Sequence, residues 1–126
     1  MSEAYRAEPR RVEKPWGWEL IWAEADAYVG KLLFVRAGQA LSLQYHVEKH
    51  ESWLVREGRA ALELGPVDGE LETVEIRAGD TFRFPPRTVH RVTALEDTLI
   101  VEVSTPQLDD VVRLEDRYGR EGTSAA

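Results

Sequence analysis

Leu41-Ser42-Leu43-Gln44-Tyr45-His46-Val47-Glu48 alternates cleanly between apolar and polar side chains. In an extended strand successive side chains point to opposite faces. Leu41, Leu43, Tyr45 and Val47 therefore share one face, and Ser42, Gln44, His46 and Glu48 share the other. An ordinary surface strand would turn its polar face to water. Here His50 and Glu51 follow immediately, so two histidines and two glutamates fall within the stretch 46–51. Imidazole and carboxylate are the donors that suit borderline divalent ions. On the strand His46 and Glu48 can grip one ion. Glu51 re-enters after a turn, and His90, on a distant strand, closes the set. His50 is a spare that could replace Glu48 or Glu51 as ligand, or simply be exposed.

Outward from this stretch the chain reads as short strands separated by turn signals about every 8–12 residues, the signature of an all-β sandwich or barrel. The expected strands are Glu19–Ala23, Tyr28–Arg36, Ala40–Val47, Ser52–Glu57, Arg59–Leu64, Glu72–Arg77, Asp80–Phe84, His90–Ala94 and Leu99–Val103. Between them lie breakers such as Ala37-Gly38, Gly58, Gly65-Pro66, Asp68-Gly69, Ala78-Gly79-Asp80 and Pro85-Pro86. Residues 1–13 are polar and aperiodic and read as an arm. After Thr105-Pro106 a charged segment carries one apolar cluster, Val111, Val112 and Leu114, and is expected to pack on the barrel as one helical turn. Residues 121–126 are expected to be a disordered tail. The domain proper is expected over 14–120.

Composition narrows the chemistry. The chain of 126 residues is one domain's worth and has no cysteine. Thiol nucleophiles, iron–sulfur clusters and cysteine-held zinc are excluded, so a metal must be held by His, Asp or Glu. The net charge of −7 argues against nucleic acid as a partner. The absence of an apolar run or signal-like segment argues against a membrane role and makes the cytoplasm the expected compartment.

Gly38, His46, Glu48, Glu51 and Gly58 resemble the first cupin motif, and Gly79, Pro85, Arg87 and His90 resemble the second. Three positions depart from the pattern: Glu48 stands where a second His is usual, Arg87 where Gly is usual, and Ala94 where Asn is usual. The likeness extends to Lys14-Pro15-Trp16-Gly17, to Gly38-Gln39 with Leu41 through His46, to Pro85 through Thr88 with His90-Arg91, and to Asp109-Asp110-Val111-Val112-Arg113 through Tyr118-Gly119-Arg120. Together these are similar to the C-terminal cupin domain of type II mannose-6-phosphate isomerases, the bifunctional isomerase/GDP-mannose pyrophosphorylases. The resemblance implies a jelly-roll cupin barrel. It also implies a homodimer, formed when residues 5–15 add to a neighbour's sheet. The Gly-rich nucleotide signature of the pyrophosphorylase half does not occur in these residues, so guanylyl transfer is not expected of this chain.

The resemblance implies interconversion of mannose 6-phosphate and fructose 6-phosphate through a cis-enediol. That reaction needs a Lewis acid, a base tuned near the working pH and a cationic phosphate pocket. The expected metal ligands are His46, Glu48, Glu51 and His90, with Zn first and Mn, Fe, Ni or Co also suitable. Glu48 or His50 is the expected base. Gln44 would touch substrate or metal-bound water. Lys31, Arg91 and Arg113 are the expected phosphate contacts, ahead of Arg87. Three other readings compete: a non-catalytic metallo-cupin binding a sugar phosphate or sugar nucleotide, an iron-dependent oxygenase, and a purely structural barrel whose His46/Glu48/Glu51/His90 cluster stays empty.

Overall fold

The structure, a computed structural model, describes residues 3–107 and 109–124. These form strands β1 (Arg10–Lys14), β2 (Gly17–Glu24), β3 (Val29–Val35), β4 (Leu43–Tyr45), β5 (Glu51–Glu57), β6 (Arg59–Pro66), β7 (Glu72–Arg77), β8 (Thr81–Phe84), β9 (Thr88–Ala94), β10 (Thr98–Ser104), β11 (Val111–Glu115) and β12 (Gly122–Ser124). No helix occurs among the described residues, so none is long and apolar enough to cross a membrane. The strands build two six-stranded sheets in the orders β1-β2-β3-β10-β5-β8 and β12-β11-β4-β9-β6-β7. Every pairing is antiparallel, and the sheets close face to face as a jelly roll.

Each of the nine expected strands has a counterpart, but the stretch 40–47 is cut short. Only Leu43–Tyr45 is strand, with an isolated bridge from Ala40 to Thr93. The chain turns at His46 because its carbonyl accepts the Arg87 N–H at 2.7 Å and the next three N–H groups bind Asp110. The expected helical turn near 111–114 is instead β11, where Val111 and Arg113 are buried and Val112 half-buried. Alternating burial of this kind fits a strand better than a helix. In place of a disordered tail, Gly122–Ser124 pairs with β11; residues 125–126 lie outside the described residues. The arm expected to reach a neighbour contains β1, which pairs with its own chain's β2 at the edge of the first sheet.

Inward side chains lie in levels, because cross-strand partners share a face. In the first sheet Glu19, Leu33, Ile100 and Val55 form one level, and Lys31, Glu102 and Trp53 the next. In the second sheet Leu62 pairs with Val92, and one level on Arg113, Gln44, His90 and Leu64 form a row. The apolar levels meet in a core of Val35, Val55, Leu62, Ile76, Val92 and Ile100 among others. Gly58, between β5 and β6, has φ of 92°, and a Cβ there would lie 2.2 Å from the Asp97 carbonyl oxygen. Only glycine fits that tight connection.

Candidate metal centre

Three of the expected ligands converge. His46 follows β4, Glu51 opens β5 and His90 lies on β9, and one donor atom from each falls within 4.8 Å of the others. All three are buried. His90 Nε2 is 3.0 Å from Glu51 Oε1, and His46 Nε2 is 3.4 Å from Glu51 Oε2.

The far side of each imidazole fixes its tautomer. His46 Nδ1 donates to the Asp110 carbonyl, and His90 Nδ1 donates to the Thr88 carbonyl at 2.9 Å. A carbonyl oxygen only accepts, so Nδ1 carries the proton and Nε2 of the neutral ring carries a lone pair. Two ring nitrogens and a carboxylate therefore face one another away from water, with Glu51 Oε2 also 3.0 Å from the Lys49 ammonium. Such a set is stable only around positive charge. Burial alone would raise the Glu51 carboxyl, but Lys49, His46 and His90 outweigh it and hold it well below the ordinary range. Burial disfavours the His90 imidazolium, yet the Glu51 hydrogen bond and charge raise its pKa. Both directions report a site that attracts a cation. Two His nitrogens and one carboxylate fit a divalent ion, with outer carbonyls orienting the rings.

Around this centre opens a narrow cleft. Lys49 lies between Glu51 Oε2 at 3.0 Å and Glu102 Oε2 at 3.3 Å. Burial would lower its pKa, but Glu102 and Glu51 reverse the sign, so it stays an ammonium. Trp53 Nε1 donates to Glu102 Oε1 at 3.1 Å, and Phe84 stacks on the His90 ring at 4.5 Å. Gln44 and Arg113 line the cleft. Lys31 does too, but it is paired with Glu19 at 3.5 Å.

Other expected site residues lie elsewhere. Glu48 is exposed and outside the donor cluster, because the strand alternation that would have aimed it inward ends at Tyr45. His50 is exposed next to inward Glu51; its N–H donates to Thr105 Oγ1 and its ring meets Arg83. Neither expected base reaches the site. Arg91 alternates with inward His90, so it faces outward and binds Glu63 at 2.8 Å and Glu115 at 3.3 Å. Arg87 has φ of 63°, the left-handed conformation that explains why glycine is usual at that position.

Lys49, Glu102, Glu19 and Asp110 were missed as site residues in the sequence. Glu102 had a signal: it is the lone charge inside Leu99-Ile100-Val101-Glu102-Val103, an apolar run expected of a strand covered on both faces. Lys49 had none, since its inward position depends on the turn around Asp110.

Fold and site together define a small cupin with a two-histidine, one-carboxylate cluster inside its barrel. The chain belongs to the mannose-6-phosphate isomerase C-terminal family, whose description matches residues 2–116. It is 34% identical to the mannose-1-phosphate guanylyltransferase ManC of Salmonella typhimurium over 114 residues, 88% of this chain and 23% of that protein. The mannose-1-phosphate guanylyltransferase of Escherichia coli K12 is 33% identical over the same shares. The chain thus spans about a quarter of the length of these relatives. Among solved structures it is similar to Bacillus subtilis oxalate decarboxylase, a protein with Mn(II) centres (TM-score 0.71, 23% identity, 82% of this chain, 29% of that one). It is also similar to the capsular polysaccharide assembling protein CapF of Staphylococcus aureus (TM-score 0.68, 18% identity, 87% of this chain, 32% of that one). These two likenesses concern the fold.

Proposed function

We propose that the chain is a metal-dependent sugar-phosphate isomerase that interconverts mannose 6-phosphate and fructose 6-phosphate. The observation that carries the reading is the convergence of His46 Nε2, His90 Nε2 and Glu51 on one buried point at the floor of a charged cleft. The family supports the sugar phosphate as ligand. His46, Glu51 and His90 would hold the ion, with Zn first and Mn, Fe, Ni or Co also suited to these donors. When bound, it supplies Lewis-acid stabilisation of charge growing on the sugar oxygens.

The chain's own residues account for the rest. Lys49, a fixed ammonium, places a donor beside Glu51 and Glu102 where an enediolate oxygen would gather charge. Gln44, opposite His90 on the next strand, positions a sugar hydroxyl. Glu48 and His50 lie outside, so the proton falls to a carboxylate lining the cleft. Glu102 takes this role: its Oε1 is pinned by Trp53, and its Oε2 faces Lys49 within the same cleft.

The test is elemental analysis and a mannose 6-phosphate isomerisation assay on wild type, His46→Ala/His90→Ala and Glu102→Gln. About one divalent ion per wild-type chain is expected, lost with turnover in the double variant. Glu102→Gln is expected to keep the ion and lose about 10²–10⁴-fold in kcat, the range of a general base. Metal without turnover in wild type would sink the isomerase reading in favour of a metallo-cupin that only binds its sugar. Turnover that survives loss of the ion would sink the metal role.

A further inference from the structure

Glu51 serves two kinds of cation at once. Its Oε1 is 3.0 Å from His90 Nε2 and its Oε2 is 3.4 Å from His46 Nε2, a grouping that suits a divalent ion. The same Oε2 is 3.0 Å from Lys49 Nζ. This ammonium is no surface group. The Lys49 side chain is 3% exposed, and those of Glu51 and Glu102 are 2% and 5%. On its other side Lys49 reaches Glu102 Oε2 at 3.3 Å. Its backbone is held too, since the Lys49 N–H donates to Asp110 Oδ2 at 2.9 Å. Glu102 in turn accepts from Trp53 Nε1 at 3.1 Å. A fixed positive charge is therefore built into the barrel, between a carboxylate of the histidine cluster and a second carboxylate on β10.

Two cations that share one carboxylate repel, and away from water that repulsion is weakly screened. If Lys49 served only to orient Glu51, its loss would loosen the carboxylate and weaken the ion. If the ammonium competes with the ion, its loss strengthens the ion. Glu51 is oriented without Lys49: it opens β5 with Phe84 and Ser104 as cross-strand partners, and both imidazoles meet its oxygens. We propose that Lys49 is a resident cation that competes with the divalent ion for Glu51 and so sets the affinity of the site, with Glu102 keeping the ammonium in the barrel. The ammonium already supplies the single charge that a monovalent cation would bring, so only an ion of higher charge gains by entering. The ion is held less tightly than its donors alone would hold it and stays exchangeable. The inference rests on the metal-centre reading and gives Lys49 a part in it that is independent of sugar turnover.

The test is calorimetric titration of the chelator-treated full chain with Zn²⁺ and with Mn²⁺, with melting curves taken with and without the ion. The proteins are wild type, Lys49→Met and Lys49→Met/Glu102→Gln. His46→Ala/His90→Ala measures ion bound elsewhere, such as at exposed His50. Lys49→Met is expected to bind the ion about ten- to a hundredfold more tightly than wild type, the scale of one nearby unit charge in a partly screened interior. The double variant removes the ammonium together with the charge of its second partner, and it too should bind more tightly than wild type. Chelated Lys49→Met should melt below chelated wild type, because two buried carboxylates lose their counter-charge, and the ion should raise its Tm by more. If Lys49→Met does not fold, the double variant decides by the same comparison. Failure of both to fold with the ion present would overturn the proposal, since the ion should then replace the lost charge. Equal or weaker binding in the folded variants would overturn the competition and leave the metal reading standing. If the variants bind the ion and wild type does not, the competition stands and the metal-dependent isomerase reading falls. If no protein binds above the histidine-free background, both fall.

Discussion

The two ends of the barrel interior are built from the same strands and have opposite character. On β10, Ile100 is wholly buried among apolar neighbours, and two residues on, Glu102 is buried against Lys49 and Trp53. On β3, Val35 and Leu33 give way to Lys31, and on β9, Ala94 and Val92 give way to His90. One level of each strand is dry packing, and the next is titratable. The difference teaches where stability and chemistry reside. The apolar end excludes water and holds the sheets at fixed spacing. The charged end inherits that rigidity, so groups that would be costly if mobile stand in register.

The sharpest way to break this comparison is Ile100→Ala. It is expected to cost about 2–5 kcal/mol of stability through lost burial and a residual cavity. Folded protein should still bind its ion at unchanged stoichiometry, by denaturant melts and elemental analysis. Loss of the ion in protein that remains folded would show that the two ends are not separable.

A smaller effect lies at the turn that serves the charged end. The Asp110 carboxylate accepts the N–H groups of Val47, Glu48 and Lys49 at 2.7–2.9 Å. Asp110→Ala is expected to cost about 1–3 kcal/mol and to weaken metal retention, since the turn places His46 and Lys49. Burial would raise the Asp110 carboxyl, but those N–H groups outweigh it and lower its pKa. The unfolded carboxyl titrates near its ordinary value of about 3.9. The lowered folded pKa therefore contributes stability that is complete above that value and is lost as pH falls through the lower folded one. The stability gap between wild type and Asp110→Ala should be constant above about pH 5 and close in more acid solution. A gap that widened toward acid would contradict this account of the turn.

The smallest expected effect is at Arg87, held at φ of 63°. Relief of left-handed strain is worth about 1–2 kcal/mol, less about 0.5–1 kcal/mol for glycine's greater freedom in the unfolded chain. Arg87→Gly should therefore raise stability by up to about 1.5 kcal/mol, read as a modest rise in Tm. A fall would mean that the Arg87 side chain stabilises the loop that carries the His46 carbonyl.

Much of this was legible before any coordinates. Turn residues and alternation marked nine of the strands, and His46, Glu51 and His90 could be picked out because imidazoles and carboxylates clustered beside strand ends. Glu48 and Arg91 show where that reading stops. Parity along a strand is a local rule. It failed at Glu48 because a residue far along the chain, Asp110, ends the strand and turns it. For Arg91 the same parity, applied from His90, would have turned it outward. The β11 strand was missed because few apolar residues mark it, and its identity is settled by pairing with β4. Glu19, Lys49 and Glu102 act through partners brought in from other strands, which sequence spacing does not record.

The clamp on the 46–49 turn also sets an order in time. Asp110 follows His46 by 64 residues and supplies both the carboxylate that shapes the turn and the carbonyl that orients the His46 ring. A ribosome adds about 5–20 residues per second, starting from the N-terminus. His46, Glu51 and His90 are therefore all synthesised before the residue that organises them. Until β11 docks beside β4, the growing chain carries the ligands without the geometry. The cluster thus takes its fixed shape only once the barrel has closed, when separate histidines and a glutamate have become a chamber.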